Sequence, residues 1–317
     1  MVILVTGGAG YIGSHVVHHL VQEGYSVLAL DNLSRGHRQR LPSTVSFVLG
    51  DVGNRDLLIS LFTQNSIQAV FHFAGAIFPE ESMQDPPKYF QINVAQGLVL
   101  LEVMREFHVK YMIFSSSAAV YGSCATLPLM EDTPALPINV YGKTKLLFED
   151  ILHFYDRLFG IRFVALRYFN AAGAGYHIRP IPQEGNLIPL VLQIPLKNSS
   201  SFVLFGNDYP TPDGTNHRDY IHVLDLSRAH LLALHYLFSD GKSDVFNLGT
   251  GKGTSVLEVL DVCRQVTQHA LPIQIGPRRQ GDPIASFASY TKAKTVLGWE
   301  PHFDLRAIVQ SMWDAYH

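Results

Sequence analysis

The stretch that most limits what this chain can fold into is Thr6-Gly7-Gly8-Ala9-Gly10-Tyr11-Ile12-Gly13, directly after the apolar run Val2–Val5. An unbroken apolar run of this length reads as a strand buried on both faces. Ile12, Val16 and Leu20 then recur at i, i+4 and i+8, and Gly24 stops the helix they imply. Strand, glycine loop and helix together are the setting for a dinucleotide. The glycines permit a tight turn, close backbone approach to a pyrophosphate, and close packing of helix on strand. The helix N-terminus contributes N–H donors and the positive end of its dipole. Gly7, Gly10, Tyr11, Ile12 and Gly13 are therefore expected at the cofactor. The next strand, Ser26–Leu30, ends at Asp31, eighteen residues beyond Gly13. A carboxylate there accepts both ribose hydroxyls and repels a 2′-phosphate, so NAD is expected in preference to NADP.

Further strand–helix units follow. Val45–Leu49 leads to Asp51-Val52, Ala69–Phe73 to Ala74-Gly75, and Tyr111–Phe114 to Ser115-Ser116-Ser117. Helices intervene, one of them near Ile92–Phe107. Such alternation implies a parallel sheet with right-handed crossovers. Ligands in these sheets sit at the carboxyl ends of strands, where Asp51, Phe73, Gly75 and Ser117 fall. Another helix opens near Tyr141, carries Leu147, Ile151 and Tyr155 on one face, and ends at Gly160; Arg162–Tyr168 is the next strand. Beyond it the alternation decays, with Pro180, Pro182, Pro189 and Pro195 breaking the pattern. The expected fold is α/β: a Rossmann-type doubly wound parallel sheet in residues 1–169 and a smaller mixed α/β substrate lobe in residues 170–317. In that lobe Ser255-Val256-Leu257-Glu258 reads as a capping box, and Asp304 as the cap of a last helix, Leu305–Tyr316.

The chemistry is concentrated in Tyr141-Gly142-Lys143-Thr144-Lys145. Residues four apart share one helix face, which sets a phenol beside an ammonium. A phenol titrates near 10, and a general base works best near the operating pH. One positive charge at about 4 Å, at an effective dielectric of about 20, contributes up to roughly 4 kcal/mol towards the phenolate. Lys145 is thus expected to lower the pKa of Tyr141. Ser117, at the end of its strand, lies on the same sheet edge as the glycine loop. His15, His18 and His19 have helical spacing but no acidic or sulfur companion, so they read as a solvated helix face and no metal site is expected.

Composition narrows the partners. Hydrophobic residues make up 47% and charged residues 16%, enough for a substantial core, and the net charge is −3 without a basic block. Nucleic acid and anionic membrane are therefore not expected partners. Cys124 and Cys263 stand alone, consistent with reduced thiols in the cytoplasm. No apolar run is long enough to span a bilayer, and no leader is recognisable at the start.

Ser117, Tyr141 and Lys145 behind this glycine loop resemble the extended short-chain dehydrogenase/reductase family, essentially from end to end. Within it the chain is similar to the UDP-hexose 4-epimerase branch. The stretches carrying this are Gly7–His15, Asp31-Asn32-Leu33, Ser115–Gly122, Tyr141–Lys145, Arg167–Asn170, Phe205–Val223 and Arg279–Asp282. The resemblance implies a resident NAD held by Gly7, Gly10, Tyr11, Ile12, Gly13, Asp31, Asn32, Asp51, Val52, Phe73, Ala74, Gly75, Asn93, Ser115, Tyr141, Lys145 and Tyr168. It implies a UDP-hexose substrate held by Ser117, Asn170, Asn186, Leu187, Phe205, Arg218, Arg279, Asp282 and Ser286, with Ser117, Tyr141 and Lys145 catalytic. The implied activity interconverts UDP-glucose and UDP-galactose, and Ser286, where a tyrosine is usual, leaves room for N-acetylated sugars. It also implies a homodimer through the helices near Ile92–Phe107 and Tyr141–Leu158. One departure stands out: where a lysine commonly follows His-Phe-Ala-Gly, this chain continues Ala76-Ile77-Phe78-Pro79. The rival reading, a 4,6-dehydratase on the same scaffold, needs an acid/base pair after the serine, where this chain has Ala118-Ala119. A non-catalytic NAD sensor is the rival from another class.

Overall fold

The computed structural model describes residues 1–124, 126–178, 187–197, 201–278 and 283–317. Six parallel strands come from the first half: Val2–Thr6 (β1), Ser26–Asp31 (β2), Ser46–Leu49 (β3), Ile67–His72 (β4), Tyr111–Ser117 (β5) and Arg162–Tyr168 (β6). Between them run Tyr11–Gln22 (α1), Arg55–Gln64 (α2), Pro79–Gln84 (α3), Pro86–Phe90 (α4), Gln96–Glu106 (α5) and Val140–Phe159 (α6). The second half adds Asn170–Ala172 (β7), Leu187–Lys197 (α7), Phe202–Phe205 (β8), His217–Arg218 (β9), Tyr220–His222 (β10), Val223–Phe238 (α8) and Asp244–Leu248 (β11). It closes with Thr254–Ser255 (β12), Val256–Thr267 (α9), Ile273–Gly276 (β13), Ala285–Ser286 (β14), Thr291–Leu297 (α10) and Leu305–Asp314 (α11).

The main sheet has seven strands in the order β11-β6-β5-β4-β1-β2-β3. Strand order reverses beside β1, the crevice where such sheets take their ligands. Alternation along β1 explains the layers. Ile3 and Val5 face a core that includes Val16, Leu20 and the α8 residues Leu226 and Leu234. Leu4 faces the opposite core, with Leu58, Leu101, Phe148 and Leu152. A third core, Ile188, Val191, Leu192, Leu260, Cys263, Ile308 and Met312, packs α7, α9 and α11 into the smaller lobe. Among the described residues no helix is long and apolar enough to cross a membrane.

Three features depart from the sequence reading. The chain returns to the large sheet after residue 169: β11 pairs in parallel with β6, from Asp244↔Val164 to Leu248↔Tyr168, and α8 covers its face. The helix at Ile92–Phe107 opens with a π-helical segment, Gln91–Ala95, before α5 proper, which is where Asn93 turns inward. On α6 the buried face is Gly142, Thr144, Lys145, Phe148, Glu149 and Leu152. The expected stripe of Leu147, Ile151 and Tyr155 is only half-buried.

The caps behave as read. Ser255 and Glu258 form a complete capping box at α9, and Asp304 accepts from the Ala307 N–H at α11.

Candidate active site

The glycine loop is built on contacts that no side chain would tolerate. Gly7 is left-handed, φ +68°, and a Cβ on it would lie 2.5 Å from the Ala74 nitrogen. A Cβ on Gly13 would lie 2.3 Å from the Gly7 carbonyl oxygen. The turn therefore draws β1, α1 and the loop after β4 together only with glycine at both positions. No side chain caps α1, so its first turn is presented at the crevice between the strands. Asp31 is buried, its Oδ2 accepting from Ala9 N at 3.0 Å and its Oδ1 from Leu33 N at 2.8 Å. Each oxygen keeps a lone pair for a ribose hydroxyl. At the end of β3, Asp51 accepts from Gly53 N and from the Asn32 amide, at 2.8 and 3.0 Å. A glycine cradle, an uncapped helix start and a carboxylate held by backbone N–H groups fit a dinucleotide without a 2′-phosphate.

The reactive groups meet at the carboxyl edge of β5. Asn139 caps α6 by accepting from Gly142 N at 2.8 Å, and the buried Ser82 hydroxyl accepts from Tyr141 N at 3.0 Å. Together they fix the first turn carrying Tyr141. A Cβ on Gly142 would lie 2.4 Å from the Ala119 carbonyl, so this glycine lets the 118–121 turn close on α6. Ser117, half-buried at the end of β5, accepts from Ala119 N at 3.2 Å and lies close enough to the Tyr141 phenol to pull its pKa down. Lys145 is buried, and its ammonium donates to the Ser115 carbonyl at 2.9 Å. The Ser115 hydroxyl in turn pairs with the Tyr168 phenol.

The electrostatics reverse one expectation. In the protein alone, burial raises the Tyr141 pKa, and the nearby Ser117 hydroxyl only opposes this. The Lys145 Nζ sits 5.9 Å from the Tyr141 ring centroid, and its own pKa is pushed down to about 8 by burial, against the pull of Glu149. Withdrawal from water disfavours the charged form of both groups, and this works against the help each gives the other.

Other sites divide into those that line the crevice and those that brace it. Phe73 follows β4 with its ring 4.8 Å from that of His230. Gly75 faces Lys145, whose Nζ would be 3.6 Å from a Cβ there. Asn93 is a brace: its Oδ1 accepts from Ala76 N at 2.7 Å, and its Nδ2 donates to Ala76 O and Thr144 Oγ1, both at 3.0 Å. Its amide thus ties the Ala76–Pro79 loop to α6. That loop is also held by Arg35, whose guanidinium lies 4.0 Å from the Phe78 ring centroid. Val52 is buried in the core behind Leu4.

In the lobe, Asn170 donates N–H and amide to the Asp219 carbonyl at 2.9 and 3.3 Å. Arg218 and Ser286 are partners across β9 and β14, and the Arg218 guanidinium donates to Pro283 O at 2.8 Å. Phe205 ends β8, partly exposed beside Gly276, and Leu187 opens α7. Asn186, Arg279 and Asp282 lie outside the described residues.

Sequence reasoning missed Ser82, Asn139, Glu149 and His72. Only Glu149 carried a local signal, standing four residues beyond Lys145. His15 corrects a second expectation, because it is not solvated, and His18 is half-buried. His15 is fully buried, accepting from Gly175 N at 3.1 Å and bonded to the Tyr11 carbonyl at 2.7 Å. His18 bonds the Arg40 carbonyl at 2.9 Å.

A doubly wound sheet with a glycine cradle and a serine–tyrosine–lysine set at its carboxyl edge defines an oxidoreductase-like, dinucleotide-dependent class of enzyme. Residues 3–249 match the model of the NAD dependent epimerase/dehydratase family, and the chain belongs to that family. A UDP-glucose 4-epimerase of Halalkalibacterium halodurans is 48% identical over 99% of this chain and 95% of its own length. The crystal structure of UDP-glucose 4-epimerase from Brucella ovis in complex with NAD superposes with a TM-score of 0.96, at 39% identity, covering 99% of this chain and 98% of that one. The UDP-Glc/GlcNAc 4-epimerase of Campylobacter jejuni superposes with a TM-score of 0.87, at 36% identity, covering 99% and 98%.

Proposed function

We propose that this protein interconverts UDP-glucose and UDP-galactose with a resident NAD, inverting the configuration at C4 of the hexose. NAD, when bound, supplies the hydride acceptor and donor and a positive charge beside the tyrosine. Gly7, Gly10, Tyr11, Ile12 and Gly13 would hold its diphosphate, Asp31 and Asn32 its adenosine ribose, and Lys145 its nicotinamide ribose. Tyr141 Oη takes the proton from the sugar 4-hydroxyl and returns it, while Ser117 holds that oxygen by hydrogen bond. A positive charge arriving with the cofactor opposes the burial that raises the phenol's pKa in the protein alone. In the lobe, Asn170, Asn186, Leu187, Phe205, Arg218, Arg279 and Asp282 would hold the UDP moiety, with Arg218 and Arg279 on the diphosphate.

The observation that carries this reading is the Ser117–Tyr141–Lys145 set followed by Ala118-Ala119. Two methyl groups cannot move the protons that water elimination requires, so a keto sugar formed here has only hydride return open to it. Purified protein should convert UDP-galactose to UDP-glucose without added NAD. A requirement for stoichiometric NAD, with NADH accumulating, would make it a dehydrogenase instead.

Ser286 extends the reading to N-acetylated sugars. The bulky neighbours are engaged elsewhere: the Phe287 ring lies against Gly253, and Tyr290 lies edge-on to Trp299 at 6.2 Å. Ser286→Tyr should abolish turnover of UDP-N-acetylglucosamine and spare UDP-galactose. Wild-type protein inert towards UDP-N-acetylglucosamine at high enzyme concentration would refute the extension. The chain is further proposed to act in the cytoplasm as a homodimer, supported by Phe154 and Leu158, 53% and 64% exposed one helical turn apart on α6.

A further inference from the structure

Behind the reactive groups lies a buried polar chain that the chemistry above does not use. Glu149 stands on α6 one turn beyond Lys145, 2% exposed. Its carboxylate accepts from the Ser116 hydroxyl and from both arms of Arg167, Nε at 3.0 Å and Nη2 at 2.5 Å. Arg167 continues to the Tyr121 phenol at 3.0 Å, and Tyr121 donates to Asn247 Oδ1 at 2.7 Å. The Asn247 amide then reaches the Leu129 carbonyl at 3.2 Å. Ser116 lies between Ser115, whose carbonyl accepts from Lys145, and Ser117, which stands beside the Tyr141 phenol. Arg167 directly precedes Tyr168, which pairs with Ser115. Leu129 is bonded to Phe287 and Ser289, next to Ser286. Burying a charge pair at this depth is costly, and replacing it with apolar groups is often neutral or stabilising. Stability alone is therefore a weak reason for its presence.

We infer that Glu149 is a positioning residue for catalysis: its carboxylate keeps the Lys145 ammonium charged, and its bond to Ser116 holds Ser115 and Ser117 in register with α6. This rests on the proposed epimerase reading. Lys145 is faced by His72 from β4, by the Ser115 carbonyl and the Phe114 ring from β5, and by Tyr141 and Glu149 from its own helix. His72 is neutral, its pKa pushed down to about 3 by burial and by Lys145 itself. Glu149 is the one carboxylate in this set, and it opposes the burial that lowers Lys145. Glu149 meets Arg167 in a bidentate pair, Nε on Oε1 and Nη2 on Oε2. Removing its charge lets burial act unopposed, so the ammonium is lost at lower pH.

The test compares kcat against pH for UDP-galactose in wild type, Glu149→Gln and Glu149→Asp, together with bound NAD and NMR titration of the lysine Cε signals, Lys145 being assigned by Lys145→Met. Glu149→Gln should retain NAD and shift the alkaline limb and the Lys145 midpoint down by about one pH unit or more, a roughly tenfold loss of kcat above both midpoints. Glu149→Asp, which keeps the charge, should restore most of the profile. If Glu149→Gln does not fold, Glu149→Gln/Arg167→Met removes the unpaired guanidinium and should show the same direction of shift. An unchanged limb and an unchanged Lys145 midpoint in a folded variant would overturn the inference, whatever its loss of Tm. Wild type inactive on UDP-galactose would instead refute the epimerase reading, and the Lys145 titration would still decide the role of Glu149.

Discussion

At the scale of single residues, the site works by small groups placed where nothing larger fits. Tyr141→Phe removes the proposed proton acceptor while leaving the ring in place, so turnover should fall by roughly 10²–10⁴ with little change in UDP-sugar affinity. Steady-state kinetics checks this, and near-wild-type epimerisation would place the base elsewhere. Gly13→Ala tests the cradle: the new methyl carbon would stand 2.3 Å from the Gly7 carbonyl, backbone that cannot step aside. The purified variant should carry less than about a tenth of the wild-type NAD, as read after denaturation, since a 1.4 kcal/mol loss is already tenfold in binding. A full complement of NAD in Gly13→Ala would mean that the turn yields more easily than its geometry implies.

At the scale of elements, α6 presents two faces with different work. Its inner face, Thr144, Lys145, Phe148, Glu149 and Leu152, joins the sheet to the chemistry. The stripe read from the sequence, Leu147, Ile151 and Tyr155, is half-buried, and beside it Phe154 and Leu158 are exposed. Phe154→Glu with Leu158→Glu should leave the fold intact and convert the proposed dimer to a monomer in sedimentation velocity. A species of unchanged mass would remove this face from consideration.

At the scale of the whole molecule, acid sensitivity follows from buried imidazoles. His15 and His72 are pushed down to about 3, and His222 and His230 to about 4, in each case first by burial. The unfolded chain binds protons at these histidines below about 6.5 while the folded chain does not, so stability is full above that pH and declines below it. Each histidine can remove up to about 1.4 kcal/mol per pH unit over that range. Asp219 acts in the opposite sense, because burial raises it to about 6 and the folded state takes up its proton first. His18 and His19 are shifted down by burial as well, and Glu131 is shifted up, so the histidines outnumber the carboxyls and the urea midpoint should fall clearly between pH 7 and pH 5. A midpoint that held constant or rose would show that these rings are not kept neutral by the fold.

What could be read from the sequence was whatever depends on near neighbours along the chain. The glycine turn, the strand–helix alternation, Asp31 at a strand end, Ser117 on the same edge and the capping box at Ser255 all follow from spacings of a few residues, and each governs its own local geometry. The serine–tyrosine–lysine set was legible because two of its members share a helical turn. Tertiary structure decided the rest. It buried His15 against Gly175, 160 residues away, and returned β11 to the edge of the large sheet. It also tied Asn93 to Ala76 and Thr144, because a π-helical segment faces its amide inward. The sign of the Tyr141 shift belongs to this second kind. Spacing places a lysine beside a tyrosine, but burial is set by distant segments, and at this site desolvation outweighs proximity.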